Sequence, residues 1–314
     1  MIKIGVLSED QNSNIAVLIP HNIKQLKNQA EFYIQKNTGL TSGYTDRLYE
    51  EAGAKILSSR DELINQSDIV LSFNPPLSEE VPYGNKTFIG AYDVLNSYHA
   101  NILPFQKNGV NVFSLNLLPR TTIAQSMDIL SSMSSMLGYK AVIIASTLSP
   151  VTLPMITGAG GTLKPANVLV LGAGVAGLQA IATAKRLGAI VKAFDVRKVA
   201  KIDVESLGAQ FIDIEGAVDQ QNAGGYAVEQ EVDYLQKIEQ VLFEEAVKAD
   251  IIITTAKIPG KKAPLLITKK IIDNMKNGAV IIDLAADTGG NSVFTKKDET
   301  ITTKNGVVIV GDTN

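Results

Sequence analysis

The sequence predicts an α/β protein of two Rossmann-like, doubly wound parallel-sheet domains. Three observations carry that expectation. Apolar strand-like runs alternate with helix-like segments along the chain, the order that builds parallel sheets. The 314 residues suffice for two domains of ordinary size. The stretch Val168–Arg197, VLVLGAGVAGLQAIATAKRLGAIVKAFDVR, reads as one strand–helix–strand unit around a glycine-rich turn. The expected division is 1–137 for an N-terminal domain and 138–314 for a second domain that carries this unit.

In chain order, Ile2–Leu7 is a first strand. Over Ile19–Gln35, Ile23, Leu26, Ala30 and Tyr33 recur at helical spacing behind Pro20, which predicts a helix across the stretch. Ala54–Ile56 is a short strand, followed by a helix around Ser59–Asn65 with Ser59 as its cap. Asp68–Phe73, Thr87–Ile89 and Asn111–Ser114 are further strands. From Thr122 a long helix is expected, with Met127, Leu130, Met133 and Leu137 packing on one face. Gln125 and Asp128 then become neighbours on that helix, Ser131 continues their line, and Arg120 stands just before it. A guanidinium, an amide, a carboxylate and a hydroxyl aimed at one point suit a carboxamide and a ribose; an exposed polar face has the same spacing.

Between Lys140 and Lys164 the chain carries no charge. Pro150, Pro154, Gly158, Gly160 and Gly161 argue against a membrane span there. The expectation is a buried helix end followed by a crossing between domains, in a soluble protein. MIKIGVLSEDQ has too short an apolar run for a signal peptide and lacks the Arg-rich character of a transit peptide.

Val168–Leu171 is an unbroken apolar run, as in a strand covered on both faces. Gly172, Gly174 and Gly177 supply G-x-G-x-x-G where strand should pass into the helix Leu178–Leu187, with Val175 inside the turn. Such glycines allow a tight turn, close approach to a pyrophosphate and close helix–strand packing. The N-terminus of the following helix offers free N–H groups to a phosphate. Ile190–Phe194 is the second strand, and it ends at Asp195, eighteen residues past the last glycine. A carboxylate there bonds both ribose hydroxyls and repels a 2′-phosphate, which favours NAD(H) over NADP(H).

Further on, Leu207–Ile214 holds a strand after a helix, and Glu229–Lys248 is an amphipathic helix. Asp250–Thr255 and Ala279–Leu284 are strands flanking the helix Ile267–Met275, and Val307–Val310 is the last strand. Lysine pairs are scattered and the net charge is −3, so nucleic-acid binding is not expected. With no cysteine there is no disulfide, thiolate zinc site or cysteine nucleophile, and no metal site is expected.

The pieces PRTTIAQSMDILSS, LGAGVAGLQAIATAKRLGA, DVR, ESLGA, AGGYA, TTAKIPGKKAP and VIIDLAADTGGN resemble the alanine dehydrogenase and transhydrogenase family. Within it the sequence is similar to the NAD(H)-binding components of proton-translocating transhydrogenases, strongly from about Leu118 onward and weakly before. The resemblance implies that Arg120, Gln125, Asp128 and Ser131 hold the nicotinamide end. It also implies that Gly172, Gly174, Val175 and Gly177 take the pyrophosphate and that Asp195, Val196 and Arg197 take the adenosine. Gly225 and Tyr226 correspond to a mobile flap, and Thr255, Ala256 and Lys257 would lie beside the cofactor.

Hydride would pass directly between NADH here and NADP(H) on a partner domain, coupled to proton movement through a membrane domain. A homodimer is implied too, located in the cytoplasm or peripherally on the cytoplasmic face of the inner membrane. Alanine dehydrogenases carry an arginine, a lysine and a histidine in the neighbourhoods of Asn14–Val17, Phe73–Pro75 and Ile89–Ala91, and here all three are missing. His21 and His99 fall elsewhere and read as surface or helix-end residues. Amino-acid oxidation is therefore disfavoured; a diverged NAD-binding regulatory module without turnover is the other reading. Family members continue past the position of Asn314, so either the natural chain continues or the first domain is completed differently.

Overall fold

The computed structural model describes residues 1–10, 13–82, 84–119, 121–214, 232–258 and 260–311, the side chains of Asn96, Tyr98, His99 and residues 232–235 excepted. Arg120, Gly225 and Tyr226 lie outside the described residues. The chain packs as two units, Met1–Ile129 and Leu130–Thr313.

In the first unit the elements run β1 (Ile2–Val6), α1 (Pro20–Leu26), β2 (Ala30–Gln35), α2 (Asp46–Ala52), β3 (Lys55–Leu57), α3 (Arg60–Gln66), β4 (Ile69–Leu71), β5 (Thr87–Gly90), α4 (Val94–Asn101), α5 (Leu103–Asn108) and β6 (Asn111–Ser114). The strands form one parallel sheet in the order β3-β2-β1-β4-β5-β6. Ser59 caps α3 as its sequence suggests: its hydroxyl accepts the Glu62 N–H at 3.2 Å. Tyr49, fully buried on α2, donates its hydroxyl to the Leu18 carbonyl at 2.9 Å. Burial pushes its phenol up to about 12, so it remains a donor at any ordinary pH.

The helix expected over Ile19–Gln35 is corrected by this sheet. It stops at Leu26, and Ala30–Gln35 is the strand β2, paired along its length with β1. Phe32 and Ile34 enter one core while Tyr33 enters the other. That alternation is the period of a strand, and aromatic and β-branched residues fit a pleated surface covered on both sides.

The second unit runs α6 (Ile129–Leu148), β7 (Ile156–Gly158), β8 (Gly161–Leu163), β9 (Asn167–Leu171), α7 (Val175–Arg186), β10 (Ile190–Phe194), α8 (Ala200–Ser206), β11 (Gln210–Phe211), α9 (Val232–Ala246), β12 (Ile251–Thr254), α10 (Lys269–Asn274), β13 (Val280–Asp283), β14 (Thr300–Thr302) and β15 (Val308–Val310). Its main sheet has the order β11-β10-β9-β12-β13-β15-β14 and is parallel except for β14. Residues along β9 alternate between two cores. Val168 and Val170 pack with α6 and α7, Leu169 and Leu171 with α9 and α10. Helices thus cover both faces, which is why these strands read as unbroken apolar runs. The hairpin β7–β8 is exposed throughout and has no alternating pattern to announce it.

A second correction concerns the long helix expected from Thr122. Ala124–Met127 is a separate 3-10 turn, and α6 begins only at Ile129. Asp128 between them has φ −77° and ψ 85°, outside the helical region. Aspartate competes for backbone N–H groups and favours helix starts over interiors. Met127 is 48% exposed and Leu130 39%, so these two are surface residues and not core. Core packing by α6 comes later, with Leu137 packed against the core as expected and Ala141, Val142 and Ala145 buried in it. Among the described residues α6 is also the one helix long and apolar enough to cross a membrane by length and composition.

Candidate functional site

In the second sheet the strand order reverses between β9 and β12: β10 and β11 extend to one side, β12 and β13 to the other. At such a switch point the connections leave in opposite directions and open a crevice beyond the strand ends, where ligands of open α/β sheets bind. Leu171 and Thr254, the last residues of β9 and β12, are paired there.

From Leu171 the chain enters Gly172, whose φ of +100° suits glycine alone. A Cβ on Gly172 would stand 2.5 Å from Thr255 Oγ1 and 3.1 Å from the Ala256 nitrogen. One on Gly177 would stand 1.9 Å from the Gly172 carbonyl oxygen, so α7 packs directly on the turn it leaves. At Gly174, the N-cap of α7, a Cβ would meet nothing within 4 Å. The three glycines therefore do three jobs: a left-handed turn, an open face, and a close helix contact. Val175 opens α7 and is 40% exposed beside that face.

This geometry makes an unequal pair of predictions. Gly177→Ala should cost about 1–3 kcal/mol, because the clash is with backbone and one element must shift. Gly174→Ala should fold with near-normal stability. Urea unfolding of both variants checks this, and equal losses would contradict the assignment of roles.

Asp195 follows β10 and is 8% exposed. Its Oδ2 accepts the Ala173 N–H at 2.7 Å and Arg197 Nη2 at 2.8 Å; Oδ1 accepts the Arg197 N–H at 2.8 Å and Nε at 2.9 Å. The carboxylate is thus tied to the glycine turn on one side and to Arg197 on the other. Val196 between them packs on the second core. Four donors satisfy the oxygens of this buried side chain and fix where it points.

Thr255 continues from β12. Its N–H donates to the Leu171 carbonyl at 2.8 Å and its hydroxyl to the Gly172 carbonyl at 3.0 Å, so this loop and the glycine turn form one wall. Lys257 Nζ lies 2.7 Å and 2.9 Å from the two Asp287 oxygens. Gln125 falls on the 3-10 turn and Asp128 at its end, both in the first unit, whereas Ser131 lies in the first turn of α6 in the second. These three do not share one helix face.

Two residues of this edge escape a sequence reading. Asp283, fully buried at the end of β13, accepts N–H groups from Ala285 (3.0 Å), Asn291 (2.7 Å) and Ser292 (3.1 Å) and the Thr295 hydroxyl (2.6 Å). Asn291, also fully buried, reaches the Thr255–Lys257 loop. The one sequence signal is a carboxylate closing the apolar run VII, followed by the pair Gly289-Gly290.

Comparison with known proteins agrees with this architecture. The family "Alanine dehydrogenase/PNT, N-terminal domain" matches residues 5–137, and "Alanine dehydrogenase/PNT, C-terminal domain" matches 141–314. The chain is 44% identical to the first portion of the NAD(P) transhydrogenase subunit alpha of Rickettsia prowazekii, over 88% of this chain and 74% of that one. It is 41% identical to the Rhodospirillum rubrum protein of the same description, over 100% and 84%. The crystal structure of a transhydrogenase from Sinorhizobium meliloti superposes with a TM-score of 0.84 at 36% identity, covering 98% of this chain and 86% of that one. An L-alanine dehydrogenase structure shares the fold, with a TM-score of 0.80 at 21% identity over 99% of this chain and 82% of that one. The chain belongs to the alanine dehydrogenase/PNT family and stands, within it, with the NAD(P) transhydrogenase α subunits, components of an oxidoreductase.

Proposed function

We propose that the chain is the NAD(H)-binding component of a proton-translocating NAD(P)+ transhydrogenase. The observation that carries this reading is Asp195: a buried carboxylate fixed beside an open glycine turn at the switch point of the second sheet. The residues present fit a dinucleotide. Space at Gly174 and the N–H groups opening α7 suit a pyrophosphate. The two bonds Asp195 receives from the Arg197 side chain are those that ribose hydroxyls would replace, while its bonds to the Ala173 and Arg197 N–H groups keep it in place.

A 2′-phosphate brought against that carboxylate meets a like charge at short range, so NAD(H) is selected and NADP(H) is left to the partner domain. When bound, the nicotinamide supplies the hydride. The chain's own residues position and exclude water, because hydride exchange between two nicotinamides needs no acid–base pair. Arg120, Gln125, Asp128 and Ser131 would orient the nicotinamide end. Gly225 and Tyr226 would close over the nucleotide, and Thr255, Ala256 and Lys257 would line its side.

The NADP(H)-binding and membrane proton-channel domains are the partners in this reading. The active form is a homodimer on the cytoplasmic face of the membrane.

The test is reconstitution. Mixed with an NADP(H)-binding transhydrogenase component, the chain should pass hydride from NADPH to 3-acetylpyridine adenine dinucleotide well above background. NADH binding without transfer would point instead to a regulatory module, and oxidation of alanine by the chain alone to an amino-acid dehydrogenase.

A further inference from the structure

The wall formed by the Thr255–Lys257 loop is held from outside the loop as well as by Thr255 and Lys257. Asn291, 35 residues away along the chain, accepts the Ala256 N–H on Oδ1 at 3.1 Å and returns a bond from Nδ2 to the Ala256 carbonyl at 2.9 Å. The same Nδ2 donates to the Pro264 carbonyl at 2.8 Å, so one amide grips both ends of the connection after β12. The Asn291 backbone is held in turn. Its N–H donates to Asp283 at 2.7 Å, and its carbonyl accepts the N–H groups of Leu266 and Ile267, each at 2.9 Å.

Gly290 lets this happen. Its φ is +76°, and a Cβ there would lie 2.9 Å from Asp283 Oδ2 and 2.7 Å from Thr295 Cβ. Only an amide satisfies the Asn291 position. A carboxylate would face two carbonyl oxygens without a donor, and an aliphatic side chain would leave the Ala256 N–H and two carbonyls unpaired.

The line of bonds therefore runs Asp283–Asn291–Ala256, then through Thr255 to the Gly172 carbonyl of the turn. We propose that Asn291, fixed by Asp283, is a positioning residue that sets the Thr255–Lys257 backbone for the nicotinamide half of the bound dinucleotide. This rests on the NAD(H) reading above. Asp195, on the opposite side of the turn, serves the adenosine half, so the two halves of the ligand depend on different supports.

The test compares two probes by calorimetric titration of the 314-residue chain. NADH needs both supports; 5′-AMP needs only the adenosine side. For Asn291→Ala the NADH dissociation constant should rise at least tenfold while that for 5′-AMP stays within twofold of the unsubstituted chain. Thr295→Val removes only the hydroxyl bond that steadies Asp283 and should weaken NADH two- to fivefold, again sparing 5′-AMP. If Asn291→Ala does not fold, Thr295→Val decides. NADH affinity unchanged within twofold in the variants that fold, or equal losses for both probes, overturns the proposal. Failure of the unsubstituted chain to bind NADH overturns the dinucleotide reading itself, a different result from unequal variants of a binding chain.

Discussion

Asp283→Ala is expected to lower the stability of the second unit by about 4 kcal/mol, more than any other substitution at this site. The side chain accepts three backbone N–H groups and one hydroxyl in a site with no exposure to water. Alanine would leave those donors buried without acceptors, at about 1–3 kcal/mol each before relaxation. Partial collapse of the Leu284–Thr295 segment recovers some of that sum. Losses of this size need a broken buried network and do not arise from surface changes. Urea unfolding followed by far-ultraviolet circular dichroism checks it. A loss below about 1 kcal/mol would mean that the segment finds other acceptors and that Asp283 does not fix Asn291.

Asp195→Ala should act on stability and on selectivity together. It strands the Ala173 N–H and removes three bonds from Arg197. Leaving that buried N–H without an acceptor costs about 1–3 kcal/mol. Binding should suffer separately. NADH affinity is expected to fall by about 1–3 kcal/mol, roughly five- to 150-fold, as the ribose loses its charged acceptor. NADPH affinity should rise relative to NADH, because the like charge beside a 2′-phosphate is gone. Asp195→Asn keeps the shape and isolates the contribution of the charge. Titrating both nucleotides against both variants gives the ratio directly. An unchanged NADH-to-NADPH ratio would remove Asp195 from cofactor selection.

In the first unit the strand the sequence hides is β2; in the second the hidden strands are the exposed hairpin β7–β8 and the edge strand β14, whereas those buried on both faces are legible. β9 is found over Asn167–Leu171, one residue longer than the apolar run expected, because Val168–Leu171 are buried between helices on both faces and such a strand reads as an unbroken apolar run. In the first unit β3 and β4 are three residues each, yet they fall within or beside the expected runs Ala54–Ile56 and Asp68–Phe73. β2 follows α1 after a three-residue turn, and its apolar positions fit helical spacing as well as alternation, so the pattern predicts one helix where two elements exist. The break at Asp128 is a local preference for capping that overrides apolar periodicity on both sides.

At the site, the glycine turn is readable because all its parts lie within one β-α-β unit. Asn291 and Asp283 are not, since Asn291 meets Ala256 only after the chain has passed through α10 and β13. Thr255 is expected near the cofactor from family likeness alone, and its bond to the Gly172 carbonyl supplies a physical reason.

Titration of the unsubstituted chain with NADH and NADPH, under identical conditions and without partners, tests most directly whether Asp195 and the glycine turn form an NAD(H) site. NADH is expected to bind at least tenfold more tightly than NADPH. Preference for NADPH, or indifference to both, would contradict it.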